Sequence, residues 1–306
     1  MTTATLTPLR TTPALSPLII ACLAATWLVW GSTYLAIKYA LISLPPFVQM
    51  GSRFLVAGLV LMAWMRWRGA PWPDRRQWRN ALAVGTLMLG GGMGGTAYAE
   101  QTVGSGLVVA FIAVVPVLMV AANALMGNLP SRLEALGIAF GLGGVLLLTQ
   151  GAGFAASTPG LIAIAIACLA WCAGSMLSQR RLPLAPGATG FASEMICGGV
   201  VLLMMAAISD DYAVLARQWP PEPVSVAAWF YLVVAGSLIA FNAYMVLLAK
   251  APTGLASSYC FVNPVIAMLL GVGIAGEVVS SFEWASAGLV LVGVVLLLAG
   301  RKSGAT

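Results

Sequence analysis

The sequence predicts an all-α integral membrane protein of ten transmembrane helices, built as two inverted five-helix repeats. Three observations carry this reading. The composition is 60% hydrophobic and only 8% charged, against about 25% charged in soluble domains. Apolar runs follow one another along the chain, each near the roughly 20 residues that cross a hydrocarbon core. The second half repeats the small-residue and apolar pattern of the first. Ten such runs in 306 residues leave short loops and no room for a soluble domain.

Residues 1–17 form a Thr/Pro-rich tail with no small-residue cleavage site, and the apolar run behind it is too long for a signal-peptide core. A first repeat is expected over 18–150, with spans near 18–41, 46–67, 79–98, 104–124 and 132–150. A second fills 151–300, with spans near 159–180, 188–209, 226–249, 254–274 and 281–300, and 301–306 form a closing tail. The tightest junctions are at Glu100 and Lys250.

Ten spans sort the positive charges by side. Arg10, Arg66, Arg68, Arg75, Arg76, Arg79, Arg132, Arg180, Arg181, Lys250, Arg301 and Lys302 fall on the face shared by both termini. Lys38 and Arg217 fall on the other, and Arg53 lies inside a span. Cytoplasmic loops are enriched in Lys and Arg, so both termini are expected in the cytoplasm. The net charge of +6 is thereby accounted for at span ends, with no basic stripe for nucleic acid. Trp64, Trp67, Trp72 and Trp78 cluster near one boundary, whereas Trp27, Trp30 and Trp171 sit within spans, away from any interfacial belt.

The internal repeat emerges when the chain is slid along itself. One offset places Leu28 and Trp30 on Leu169 and Trp171, and Ser52, Arg53, Gly58 and Leu61 on Ser193, Glu194, Gly199 and Leu202. Slightly longer offsets place Gly106, Leu107 and Pro116 on Gly254, Leu255 and Pro264, and Gly127, Glu134, Gly144, Leu147 and Leu148 on Gly276, Glu283, Gly293, Leu296 and Leu297. Five is odd, so the second copy enters the membrane from the opposite side. Inverted repeats are a recurrent design of secondary transporters, with substrate bound near the midplane between the halves.

The Trp30-Gly31 pair, Arg53-Phe54, the Gly106-to-Pro116 span followed by Gly127, and Gly254-to-Pro264 followed by Gly276-Glu277 resemble the drug/metabolite transporter superfamily. The match is to the bacterial ten-helix exporter type with two EamA repeats, over roughly residues 20–300. The resemblance implies a central cavity, alternating access and residence in a bacterial cytoplasmic (inner) membrane. It also implies export of small metabolites, nearest in look to exporters of neutral and aromatic amino acids. Exporters of drugs, purines or organic cations, and a channel-like facilitator, are the alternatives. Two departures stand out: Asn128-Leu129-Pro130 replaces a frequent Glu-Arg-Leu, and Glu194 is an embedded charge.

Trp27, Trp30, Gly31, Tyr34 and Lys38 fall within about 100° of one face of span 1. That face is expected to look inward, with Gly31 leaving ligand space beside the rings; the alternative is an aromatic packing seam with Lys38 snorkelling outward. The counterpart face of span 6 carries Cys168, Trp171, Cys172, Ser175 and Gln179. Substrate-binding candidates are therefore Trp30, Tyr34, Trp171 and Lys38, joined by Ser258, Tyr259 and Asn263 on span 9. Asn242 and Tyr244 on span 8 are further wall candidates. Arg53, Glu194, Pro116 and Pro264 are candidates for coupling or gating. Ionisable groups in hydrocarbon normally face a cavity or a partner, and a proline inside a span releases the carbonyl four residues earlier. Few embedded acids argue against obligatory proton coupling.

No histidine occurs, and the five cysteines make no CxxC pair, so neither a metal site, a disulfide framework nor a cofactor is expected. There is no GxxxxGK[ST] phosphate loop, GxSxG elbow or carboxylate pair, which disfavours an ATP-driven pump and an enzyme. The expected partners are a small-molecule substrate and the lipid bilayer; oligomeric state is not legible.

Overall fold

In hydrocarbon the backbone must satisfy its own N–H and C=O groups, and an apolar run does so as a helix. In the computed structural model, which describes residues 16–103, 108, 111–148, 150, 157–275 and 280–300, no strand occurs among the described residues. Five helices are continuous, long and apolar enough to cross a membrane: Pro17–Ala40 (α1), Pro46–Trp67 (α2), Thr158–Arg180 (α6), Ala188–Ile208 (α7) and Pro223–Lys250 (α8). The chain from Arg75 to Ala99 (α3) joins Arg75–Gly85, Thr86–Gly94 and Gly95–Ala99. Val115–Leu125 (α4), Arg132–Leu148 (α5), Tyr259–Ala275 (α9) and Ser281–Gly300 (α10) complete the set. A short helix, Asp211–Arg217, lies between α7 and α8.

Span ends are written in local capping chemistry. Ser131 and Glu134 exchange bonds at the start of α5 (Ser131 N–H to Glu134 Oε2, 2.8 Å; Glu134 N–H to Ser131 Oγ, 3.2 Å). Ser280 and Glu283 do the same at α10, at 2.7 and 3.3 Å. These are two capping boxes at repeat-equivalent positions. At the start of α2 the cap comes from a distance, because Asp211 accepts from the Phe47 N–H at 2.8 Å and from Ser209 Oγ at 2.9 Å.

Helix pairing follows a two-fold relation between the repeats. α2 packs on α7 and α5 on α10. The contacts of α1 with α8 and α9 are matched by those of α6 with α3 and α4. The relation holds atom by atom. A methyl on Gly58 would reach the Ile196 nitrogen (2.8 Å) and the Ala192 oxygen (3.0 Å), and one on Gly199 would reach the Leu55 nitrogen (2.6 Å) and the Gly51 oxygen (3.0 Å). Gly144 faces Val290 N and Ser286 O at 2.8 and 2.9 Å, and Gly293 faces Gly141 N and Gly137 O at 2.5 and 2.7 Å. In both pairs residue and repeat partner swap roles, which is the signature of a self-complementary two-fold contact. With five helices per repeat, that axis inverts one half relative to the other.

Two expectations are corrected. Pro116 does not kink a continuous span: the chain turns at Ala113–Val114 and Pro116 sits in the first turn of α4, where its missing N–H costs nothing. Span 9 is likewise not one helix from 254, since Thr253–Ala256 is separated from α9 by a turn at Ser257–Ser258. Pro264 does lie inside α9 as expected. The tail over 1–15, Gly106, Gly276-Glu277 and 301–306 lie outside the described residues.

Candidate functional site

Three of the central helices contain π-helical stretches: Ala25–Val29 in α1, Thr86–Gly94 in α3 and Leu232–Phe241 in α8. Such wide turns are uncommon and recur at functional sites. Together with the breaks before α4 and α9, they give irregular backbone at the middle of the bundle. Irregular backbone at membrane depth is tolerated only where it is buried in protein or lines a cavity.

A cavity lies there. α1 supplies Trp30, Thr33, Tyr34 and Ile37; α3 supplies Gly92, Met93 and Thr96. Ile112 and Val115 come from the fourth span, Ala167, Cys168 and Trp171 from α6, and Tyr259 and Asn263 from α9. No charged side chain lines it among the described residues. Four rings form its floor. Trp30 lies 5.8 Å from Trp171, 5.1 Å from Tyr244 and 4.7 Å from Tyr259 between centroids, and Tyr244 lies 5.3 Å from Trp171. These are offset or edge contacts of the kind aromatic quadrupoles favour.

The polar ends of the rings are tied down. Trp30 Nε1 donates to the Gly236 carbonyl at 3.2 Å, Trp171 Nε1 donates to the Tyr244 hydroxyl at 3.1 Å, and Ser175 Oγ lies 3.0 Å from the same hydroxyl. Asn263, with its amide oriented to suit its neighbours, donates to the Tyr259 carbonyl at 3.1 Å and to the Trp27 carbonyl at 3.2 Å. Both indole rings of the floor are therefore fixed in orientation by their N–H groups.

The floor separates two hollows. Along α6 the order is cavity (Cys168, Trp171), floor (Ser175, against Tyr244), then Arg180, which lines a second space with Asn123, Asn128, Glu134 and Gly254. α9 and the segment before it repeat that order in reverse, from Gly254 through Tyr259 to Asn263. Tyr244, between the two hollows, is fully buried.

Of the substrate-binding candidates, Trp30, Tyr34, Trp171, Tyr259 and Asn263 line the cavity. Lys38 does not join them: it is exposed in the last turn of α1, reached by a stem long enough to leave the apolar layer. Ser258 lies behind the wall, accepting from Trp27 Nε1 at 3.0 Å. Gly31 leaves no ligand space, because a methyl there would sit 2.6 Å from the Ile266 Cβ; it lets α9 approach α1. Gly92 does the same for the floor, since a methyl there would lie 2.9 Å from the Trp171 ring. Asn242 bonds its own helix at Leu238 O (2.9 Å).

Arg53 is 1% exposed. Its Nε donates to Ser237 Oγ at 2.8 Å, its Nη1 lies 3.5 Å from Met50 Sδ, and its guanidinium stands 4.7 Å from the Phe54 ring centroid. It joins α2 to α8 through a side-chain hydroxyl. Glu194, its repeat counterpart, is fully buried with neither carboxyl oxygen hydrogen-bonded among the described residues. Neither residue lines the cavity. Thr33, Met93 and Thr96 were not singled out from sequence. The signal available was the polar Thr96 set four residues from Gly92 on an otherwise apolar face.

Comparison with known proteins agrees with this architecture. The model of the EamA-like transporter family matches residues 15–150 and again 158–299. The "Uncharacterized inner membrane transporter YedA" of Escherichia coli is 37% identical over 284 residues, covering 92% of this chain and 91% of that protein. An "Uncharacterized transporter" of Synechocystis is 27% identical, covering 90% of this chain and 88% of its own. A solved crystal structure superposes with a TM-score of 0.74 at 20% identity, over 94% of this chain and 99% of the other, which is a likeness of fold. With both halves matched and a relative of such identity over nearly its full length, this chain belongs to the EamA-like transporter family and is a multi-pass membrane transporter.

Proposed function

We propose that the protein exports small metabolites, in the first place neutral and aromatic amino acids, by alternating access around the central cavity. It would do so in a bacterial cytoplasmic (inner) membrane with both termini in the cytoplasm. The observation that carries this reading is the cavity wall: ring faces of Trp30, Trp171 and Tyr259 beside Thr33, Tyr34, Thr96 and Asn263. A solute entering the bilayer sheds its hydration, and such a wall replaces it with ring contact and a few fixed polar groups. The exchangeable two-fold contacts between the repeats support alternating access, since the two halves can swap conformations. Arg53, Glu194, Pro116 and Pro264 stand outside the wall and are assigned here to coupling or gating rather than to substrate contact.

Purified protein in proteoliposomes should take up labelled phenylalanine, tyrosine or leucine saturably, and accelerate uptake when unlabelled substrate is loaded inside. Unsaturable flux without counterflow would make it a channel, and saturable flux of purines or organic cations alone would replace the substrate class. Orientation is checked separately. Reporters fused after Arg75 and after Lys302 are expected to read cytoplasmic and one at Asp210 extracytoplasmic; the same side for all three would overturn the placement.

A further inference from the structure

The π stretch of α8, Leu232–Phe241, is pinned by side chains. Ser237 Oγ donates to the Leu232 carbonyl at 3.2 Å and Asn242 Nδ2 donates to the Ser237 carbonyl at 3.3 Å, each five residues back along the chain, which is the spacing of a π turn. Arg53 of α2 grips the same turn from a neighbouring helix. Its Nε donates to Ser237 Oγ at 2.8 Å, and its guanidinium packs against the adjacent glycine, where a methyl on Gly236 would lie 2.8 Å from Arg53 Nη2. Gly236 also meets the cavity wall. Its carbonyl accepts from Trp30 Nε1 at 3.2 Å, and the same methyl would lie 3.2 Å from Thr33 Cγ2. Trp30 and Thr33 line the cavity, whereas Arg53, Gly236 and Ser237 are not among its lining residues. Among the described residues Arg53 makes no ion pair; its partners are Ser237 Oγ, Met50 Sδ and the Phe54 ring. A buried cation is costly, and an apolar side chain would join two helices at lower cost, so the packing of α2 on α8 does not by itself call for a guanidinium.

We propose that Arg53 and Ser237 are positioning residues for the substrate site: they hold the π turn of α8 so that the Gly236 carbonyl meets the Trp30 indole and fixes that ring in the aromatic floor. Neither touches the substrate. The link runs from Arg53 to Ser237, from Ser237 to Leu232 and, one residue along the same turn, from Gly236 to Trp30. A carbonyl in a regular α-helix is aimed along the axis at the N–H four residues on. Gly236 lies instead in a wide turn, and its bond to Trp30 needs that turn kept in one geometry. An indole whose N–H is held keeps its ring at one angle to the cavity, so a loosened turn blurs the face on which a flat substrate stacks. Loss of Arg53 or Ser237 therefore weakens substrate binding through Trp30. The effect on substrate rests on the cavity being the substrate site; the effect on the Trp30 N–H does not.

The test reads both effects. Proton–nitrogen correlation spectra of the indole N–H groups are recorded on the full chain in detergent, labelled in tryptophan, for wild type, Ser237→Ala, Arg53→Met and Arg53→Lys. Each variant is first shown to be monodisperse by size exclusion. The Trp30 and Trp171 signals are identified by their disappearance in Trp30→Phe and Trp171→Phe. The Trp30 signal is expected to move upfield in Ser237→Ala and Arg53→Met as its bond to Gly236 is lost, and to stay near its wild-type position in Arg53→Lys, which keeps a donor for Ser237. Trp171, bonded to Tyr244, should not move. If Ser237→Ala alone fails to fold around its unpartnered arginine, Ser237→Ala/Arg53→Met removes the cation as well and is read in its place. Binding of the best substrate of the uptake panel is expected to weaken up to about fivefold in Ser237→Ala, the size of the lost indole bond, with no further loss when the same change is made in Trp30→Phe. A Trp30 signal that stays in place in both Ser237→Ala and Arg53→Met overturns the assignment. So does a moved signal with substrate binding unchanged, or a loss of binding that is undiminished in the Trp30→Phe background. A moved signal in a protein whose wild type binds no substrate leaves the hold on Trp30 standing and overturns the cavity as the substrate site.

Discussion

Replacing Gly293 by isoleucine is expected to remove folded protein from the membrane. The added side chain would begin 2.5 Å from the Gly141 nitrogen and 2.7 Å from the Gly137 oxygen. Both are backbone atoms of a helix that cannot turn aside as a side chain can. Overpacking an ordinary core costs about 1–3 kcal/mol; here α5 and α10 must move apart along their whole seam, against a total stability on the order of 5–15 kcal/mol. Gly143→Ala on the facing helix α5 is the control, because nothing lies within 4 Å of its added methyl. Size exclusion of a fluorescent fusion from solubilised membranes reads the result. The control should give a wild-type peak and Gly293→Ile none; a normal peak for Gly293→Ile would mean that the two helices do not approach this closely.

Trp30→Ala is expected to lower transport at least tenfold while leaving the protein in the membrane. Trp30 touches three other rings and bonds the Gly236 carbonyl. Each ring pair contributes about 0.5–1.5 kcal/mol beyond buried area, so the floor opens as well as losing a stacking face. Trp30→Phe keeps a ring and gives up only the bond to Gly236, a matter of about 1 kcal/mol or roughly fivefold. Binding and flux are to be measured together, with the best substrate of the uptake panel. Normal binding and flux in Trp30→Ala would make the four rings a packing seam and move the substrate contacts to the Met93, Thr96 and Ile112 side of the cavity.

Legibility from sequence tracked the range of the interaction involved. Helix positions were readable because an apolar run in hydrocarbon has one local solution. The two capping boxes lie within four residues of themselves, and the repeat was visible as paired glycines. The sequence also pointed to Trp30 and Trp171, since indole rings away from an interface need a reason. It misplaced Lys38 and Gly31 because a helical face spans about 100°, wide enough to include both the cavity wall and the seam with α9.

The amino-acid order alone determined the all-helical membrane fold, its two inverted halves and the family to which the chain belongs, because these follow from hydropathy, small-residue spacing and local caps. Tertiary structure decided which polar groups share the cavity and which are left alone. The π turns in α1, α3 and α8 shift side-chain direction by part of a turn, and turns at Ala113–Val114 and Ser257–Ser258 interrupt the chain just before α4 and α9, where periodicity would run on. Those displacements are small along the chain but comparable to the width of a helix face, and they separate Tyr34 and Thr96, which line the cavity, from Lys38 and Ser258, which do not.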